Sequence, residues 1–239
     1  MSDNAKISPS SLRQLAARLH ARSGLNRYSA VEFLIALVLL LVVTPLVEDL
    51  SQAMLVESVL LTLVLGSAVL AVGADQQTFF IALALGGPAV ILRWLSHFWP
   101  AEIPPEAFQL MGIAFIIFIL FRLLRFILRA TVVNTEVMCA GIAIYLTLGL
   151  LWSFAFLLVD RNFQQAFAYS NRAESGPLTG FEALYFSYVT LTTVGYGDIL
   201  PLSRAARMLA VLESLTGTLY LAVLVSRLVS MYAGKAAEE

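Results

Sequence analysis

Six stretches of this chain, 30–47, 53–72, 78–95, 108–128, 137–159 and 205–232, stay apolar over lengths suited to crossing a membrane. About 20 helical residues cross a hydrocarbon core of roughly 30 Å. No water is present there to pair with exposed peptide groups, so each stretch is confined to a helix that satisfies its own backbone. Hydrophobic residues make up 59% of the chain and charged ones 13%, a balance that excludes an ordinary water-soluble domain. An all-α membrane protein is expected. Segment 181–191 is apolar as well but too short to span. It suits a re-entrant helix, whose irregular continuation is tolerable at that depth only where protein walls it or it lines a water-filled path.

Charge and residue inventory exclude several other classes. A formal net charge of -1 offers no basic surface for nucleic acid. Cys139 is the only cysteine and sits in an apolar run, so an inert thiol is expected and no disulfide can form within the chain. His20 and His97 stand apart from any carboxylate or cysteine at ligand spacing, which argues for surface histidines over metal ligands. No cofactor and no enzymatic chemistry are indicated. Residues 1–29 show no cleavage site of a signal peptide. Ser8-Pro9-Ser10-Ser11 reads as a helix start, with Leu12, Leu15, Ala16 and Leu19 on one face. Either an interfacial amphipathic helix or a partly ordered basic tail accounts for that pattern.

Cytoplasmic flanks collect Lys and Arg. Lys6, Arg13, Arg18, Arg22 and Arg27 precede the first span, Arg122, Arg125 and Arg129 close the fourth, and Arg227 and Lys235 close the sixth. Six crossings with both termini cytoplasmic fit this distribution, leaving Arg93, Arg161, Arg172, Arg204 and Arg207 outside. Trp94 and Trp99 would anchor one interface, and Tyr28 and Tyr232 the other. Segment 160–180 is polar, with Gly176-Pro177 as a turn signal, and is expected to form an outer loop. Gly86-Gly87-Pro88 should kink or loosen the third span.

Residues 190–198 read Thr-Leu-Thr-Thr-Val-Gly-Tyr-Gly-Asp. Successive carbonyls can line one path only if the backbone alternates between right- and left-handed conformations, and Gly195 and Gly197 take the left-handed ones without steric cost. Thr193 to Gly197 resemble the selectivity filter of tetrameric K⁺ channels, and the order helix, re-entrant helix, filter, helix resembles the six-span type with a compact C-terminus found among prokaryotes. The close match covers the last third of the chain. The resemblance implies a homotetramer in the cell membrane, in contact with lipid, with a C4-symmetric pore. It further implies K⁺ sites at the carbonyls of Thr193, Val194, Gly195, Tyr196 and Gly197, with the Val194 and Tyr196 side chains turned outward to pack against surrounding protein. The implied layout is a cytoplasmic segment 1–29, a voltage-sensor-like four-helix domain 30–130, a pore domain 131–232 and a short cytoplasmic tail 233–239.

Around the filter the resemblance assigns support roles. Thr192 ends the pore helix, and Asp198 stands at the outer mouth, where relatives bond it to an aromatic residue of the pore helix. That partner is usually Trp; here Tyr185 and Phe186 occupy the matching positions, and only Tyr185 can donate. Val189 stands where some relatives carry a carboxylate, so no carboxylate pair with Asp198 is expected. Gly217 falls where the family commonly has a hinge glycine, with close helix packing as the competing role. Glu213 lies one turn before it on the same face. An ionisable group this deep is a functional candidate: a cavity charge, a brace behind the pore helix, which is the preferred role, or a group held neutral by burial.

Voltage-sensing relatives carry basic residues at every third position of the fourth span. Here only Arg122, Arg125 and Arg129 are basic, and the outer positions hold Ile119, Ile116, Ile113 and Leu110. Moving one charge across the full field is worth about 2.3 kcal/mol per 100 mV, so arginines at the inner boundary imply weak or no voltage dependence. Asp75, which could pair with Arg122, keeps a reduced voltage sensor as the alternative. A K⁺ transporter subunit is disfavoured because the chain has one complete filter and no internal repeat of it; a modulatory subunit is the remaining alternative.

Overall fold

The computed structural model describes residues 29–47, 53–72, 76–99, 105–130, 133–163, 165–170 and 176–236. Seven helices and a two-stranded ribbon lie within them. The helices are α1 (Ser29–Val47), α2 (Ala53–Val72), α3 (Gln76–Phe98), α4 (Pro105–Arg129), α5 (Thr135–Asn162), α6 (Gly180–Leu191) and α7 (Arg204–Ala236); the strands are β1 (Phe167–Tyr169) and β2 (Ile199–Pro201). Six of the helices are long and apolar enough to cross a membrane, and α6 is not among them. The expected amphipathic segment before residue 29, Asp75 and Tyr28 lie outside the described residues.

Helices α1 to α4 form one bundle. Phe33, Leu37, Leu40 and Thr44 of α1 fall at helical spacing on its buried face, while Ile35, Val38, Leu39, Val42 and Leu46 are exposed. Apolar residues all round a helix are the pattern of a lipid-facing span. The buried hydroxyl of Thr44 donates to Leu40 O at 2.6 Å, which removes the cost of burying it. Helix α3 is continuous through Gly86, Gly87 and Pro88. In α4, Phe115, Ile116, Ile119, Leu123 and Ile127 are buried. Two of the positions that would carry outer sensor charges, Ile116 and Ile119, thus pack into the bundle.

The bundle rests on α5 through α1 and α4. Arg161 of α5 pairs with Glu106 of α4 at 3.6 Å. Inside the bundle Arg93 pairs with Glu57 at 3.1 Å, donates to Ser58 Oγ at 3.0 Å and stands over the Phe108 ring. Sequence placed Arg93 simply on the outer flank. Trp94 Nε1 donates to Thr62 of α2 at 3.1 Å, so its indole ties two helices together.

The described residues of segment 160–180 include regular structure that its polarity does not suggest. Helix α5 runs on to Asn162, and β1 pairs antiparallel with β2 in the register Phe167↔Pro201, Ala168↔Leu200 and Tyr169↔Ile199. Beneath the ribbon, Phe156, Phe167 and Phe186 meet edge to face with ring centroids 4.9 to 5.8 Å apart. Such pairs add about 0.5–1.5 kcal/mol each beyond their area. They fix the pore helix between α5 and the outer ribbon.

Close helix approach comes from small residues. A Cβ placed on Gly149 of α5 would lie 2.5 Å from the Tyr188 ring of α6, whereas one on Gly66 of α2 would meet nothing. Gly149→Ala is therefore expected to overpack this contact and cost about 1–3 kcal/mol. Gly66→Ala should be neutral or stabilising, since Ala is the better helix former. Thermal unfolding of the two variants in detergent checks the difference; equal melting temperatures would contradict it.

Candidate ion-conduction site

The site is the exposed segment 192–197, held by the short, partly buried helix α6. Helix α6 starts at a capping box: Thr179 Oγ1 accepts from Glu182 N, and Glu182 Oε2 accepts from Thr179 N at 2.9 Å. Tyr169 of β1 donates to the same carboxylate oxygen at 2.6 Å, so the buried Glu182 is met by two donors. Two of the amides that a helix start leaves unpaired are satisfied in this way. The Thr179-Gly-Phe-Glu182 spacing carries that signal in the sequence, where it was overlooked.

At its other end α6 turns into residues 192–198. Thr192 Oγ1 donates to Tyr188 O at 2.6 Å. Thr193 N donates to Thr190 O at 3.0 Å, Val194 N to Val189 O at 3.0 Å and Gly195 N to Val189 O at 3.3 Å. The first filter amides thereby satisfy carbonyls that a helix C-terminus leaves open. Among the described residues no donor reaches the carbonyls of Thr193 to Gly197.

The backbone alternates in hand. Gly195 has φ +58° and Gly197 φ +77°, and Thr193 is left-handed too, with φ +59°. Left-handed glycines follow from their missing Cβ. A β-branched residue in that region is strained, and nothing in the propensity of Thr forecasts it. Val194 and Tyr196 are 53% and 71% exposed in the single chain, which leaves the packing expected of them in an assembly untested.

Asp198 fastens the outer end. Tyr185 Oη donates to Asp198 Oδ2 at 2.7 Å, Ile199 N donates to Oδ1 at 3.0 Å, and Ser170 N donates to Asp198 O at 2.9 Å. Phe186 is buried in the aromatic cluster, which leaves Tyr185 as the pore-helix donor at this mouth.

Helix α7 closes the site from behind. Glu213 is fully buried, and its Oε1 lies 2.5 Å from Ser187 Oγ of α6. Ser214 donates to Thr190 O at 3.2 Å. Gly217 presses against Leu191, whose carbonyl oxygen and side chain occupy the space a Cβ would need. The helix runs without a break through Gly217 and packs closely there, an arrangement compatible with either role. Further down, Arg227 Nη2 donates to Leu128 O at 3.1 Å and Ala130 O at 3.0 Å. A residue read only as an inner flank thus binds the C-terminal carbonyls of α4.

Arg122, Arg125 and Arg129 line a groove of about 310 Å³ with Phe126 and Ala130. Arg122 is half-buried, and Arg125 and Arg129 are exposed. No group of acidic, histidine or cysteine residues suited to a metal occurs among the described residues.

The sequence profile of a family described as an ion channel matches residues 135–233, the segment from α5 into α7. The chain is 41% identical over 86 residues to Two-pore potassium channel 1 of Arabidopsis thaliana, covering 36% of this chain and 20% of that protein. With Two pore potassium channel c of Oryza sativa subsp. japonica it shares 36% over 81 residues, 34% of this chain and 18% of the relative. With Protein LctB of Bacillus caldotenax it shares 37% over 87 residues, 36% of this chain and 64% of that protein. The chain therefore spans about a fifth of the length of these plant relatives. No solved structure matches it significantly. The residues that the ion-channel profile matches include those that build the capped helix α6, the left-handed segment after it and the helix α7 behind it, so over this part the chain is similar to ion channels.

Proposed function

We propose that four copies of this chain assemble around a common axis in the cell membrane, with both termini cytoplasmic, and conduct K⁺ passively and selectively. One observation carries this reading: five consecutive peptide oxygens that no donor among the described residues reaches, on a backbone that is left-handed at Thr193, Gly195 and Gly197. Rings of such oxygens replace the hydration shell of the ion, and the ion in turn satisfies the carbonyls. The exposed Val194 and Tyr196 side chains supply apolar surface for a neighbouring subunit. In the lone chain that surface has no counterpart.

Gly195→Ala tests the filter directly. Nothing lies near the Cβ position, so the substitution acts through the backbone, where a left-handed L-residue costs roughly 1–2 kcal/mol. Flux of K⁺ into liposomes should be lost while membrane insertion persists. Unchanged discrimination of K⁺ over Na⁺ would overturn the reading.

Tyr185→Phe removes the donor to Asp198 Oδ2, loosening the outer mouth and leaving the carbonyl rings unchanged. Current through the variant should decline faster during sustained conduction, with the K⁺ to Na⁺ ratio preserved. Bilayer recording under bi-ionic conditions measures both; a changed ratio would place Tyr185 in selectivity itself.

Conduction should depend weakly on voltage. Arg122, Arg125 and Arg129 sit at one end of α4, and the opposite half carries no basic residue. A reduced voltage sensor is the second reading, favoured by the grouping of these arginines around one groove. A shallow conductance–voltage curve, unaltered by Arg122→Gln, supports the first; a steep curve abolished by that substitution supports the second.

A further inference from the structure

Counting protons behind the filter leads beyond conduction itself. Ser187 Oγ lies 2.7 Å from Gly149 O and 2.5 Å from Glu213 Oε1. The first is an ordinary O–H···O length and the second is shorter still, so each contact calls for a proton of its own. A serine hydroxyl has a single proton to donate. If Ser187 gave it to Glu213, the Gly149 carbonyl and the serine oxygen would face each other at 2.7 Å with lone pairs only. Both contacts are made together when the carboxyl carries the second proton: Glu213 Oε1–H donates to Ser187 Oγ, and Ser187 Oγ–H donates to Gly149 O.

The surroundings agree with that direction of donation. Glu213 is fully buried, and its Oε2 has no hydrogen-bond partner. An anionic oxygen in that position would lack any compensation, whereas the carbonyl oxygen of a neutral acid is far cheaper to leave unpaired. The titratable groups that face it are tyrosines already engaged elsewhere: Tyr188 of α6 donates to Leu146 O at 2.6 Å, and Tyr145 of α5 points to Leu191 O at 3.4 Å. On α7 itself, Tyr220 donates to Gly141 O at 2.7 Å. Among the described residues no Lys, Arg or His pairs with Glu213.

We propose that Glu213 is a positioning residue that works as a neutral acid, linking α7 through Ser187 of the pore helix to Gly149 of α5, and that removing its proton uncouples the inner helix from the filter. The proposal rests on the chain being a conducting channel. Deprotonation would set a carboxylate against the lone pairs of Ser187 or turn the Ser187 hydroxyl away from Gly149 O. In either case the contact that seats Leu191 against Gly217 is weakened, directly below the first filter residue.

The test combines flux with infrared spectroscopy on the purified full chain in liposomes. K⁺ flux in the natural protein should fall about tenfold as pH is raised from neutral to alkaline, the scale expected when a buried hydrogen bond is lost. Glu213→Gln, whose amide N–H replaces the acid O–H, should conduct at neutral pH and keep conducting in alkali. Glu213→Ala should lose flux at every pH. Difference infrared spectra between the natural protein and the Gln variant should contain a protonated-carboxyl band at neutral pH that disappears in alkali. A flux profile of the Gln variant that titrates like the natural protein, a flat profile of the natural protein, or no such band at neutral pH would overturn the proposal. Infrared absorption needs no ion flux, so an absent band distinguishes failure of the proton relay from failure of the conduction reading.

Discussion

At membrane depth an unpaired peptide group costs several kcal/mol, and the pore-forming half of the chain is arranged around that cost. Helix α6 ends inside the protein with carbonyls that have no helical partner, and the filter begins with amides that have none either. Each set answers the other, because Thr193, Val194 and Gly195 donate back to Thr190 and Val189. The exchange uses up the donors and frees the acceptors. What remains, among the described residues, is a run of carbonyls with no donor, the chemistry that the proposed reading assigns to a desolvated monovalent cation.

Holding such a segment requires the pore helix to be fixed at several levels. Its start is fastened by the Thr179–Glu182 cap with the Tyr169 hydroxyl, its middle by Ser187 and Tyr188 against α5, and its end by Ser214 and Gly217 of α7. The outer ribbon adds a further tie, since Ser170 beside β1 reaches the Asp198 carbonyl beside β2. These contacts come from α5, α7 and the loop between α5 and α6, so the strain at Thr193 is opposed from several directions. Backbone held in sparsely populated regions persists only where its surroundings over-determine it.

Much of this was legible in the sequence, for a simple reason. Apolar length alone identifies a span, and all six predicted stretches coincide with helices whose ends extend outward into polar residues such as Gln76, Ser96 and Asn162. The filter was legible because its glycines have few other uses at that spacing. What the sequence hid was either non-local or contrary to propensity. The β1–β2 pairing joins segments some thirty residues apart across a pore helix, the Arg93–Glu57 pair joins two spans, and Arg227 reaches a carbonyl 99 residues away. Thr193 adopts a backbone that its side chain disfavours, so only the fold reveals it. The outward packing anticipated for Val194 and Tyr196 was an expectation about an assembly, and a single chain leaves both side chains bare.

Only residues 130–134 separate the end of α4 from the start of α5. Fully extended, a connection of that length reaches roughly 20 Å, and Arg227 is already bonded to its first residue and to the turn before it. In the proposed tetramer the four-helix bundle therefore remains beside the conduction module of the same polypeptide instead of crossing to the next. Each subunit is then a self-contained wedge. Heteromeric assemblies would inherit the peripheral and central parts of any one gene product as an inseparable pair.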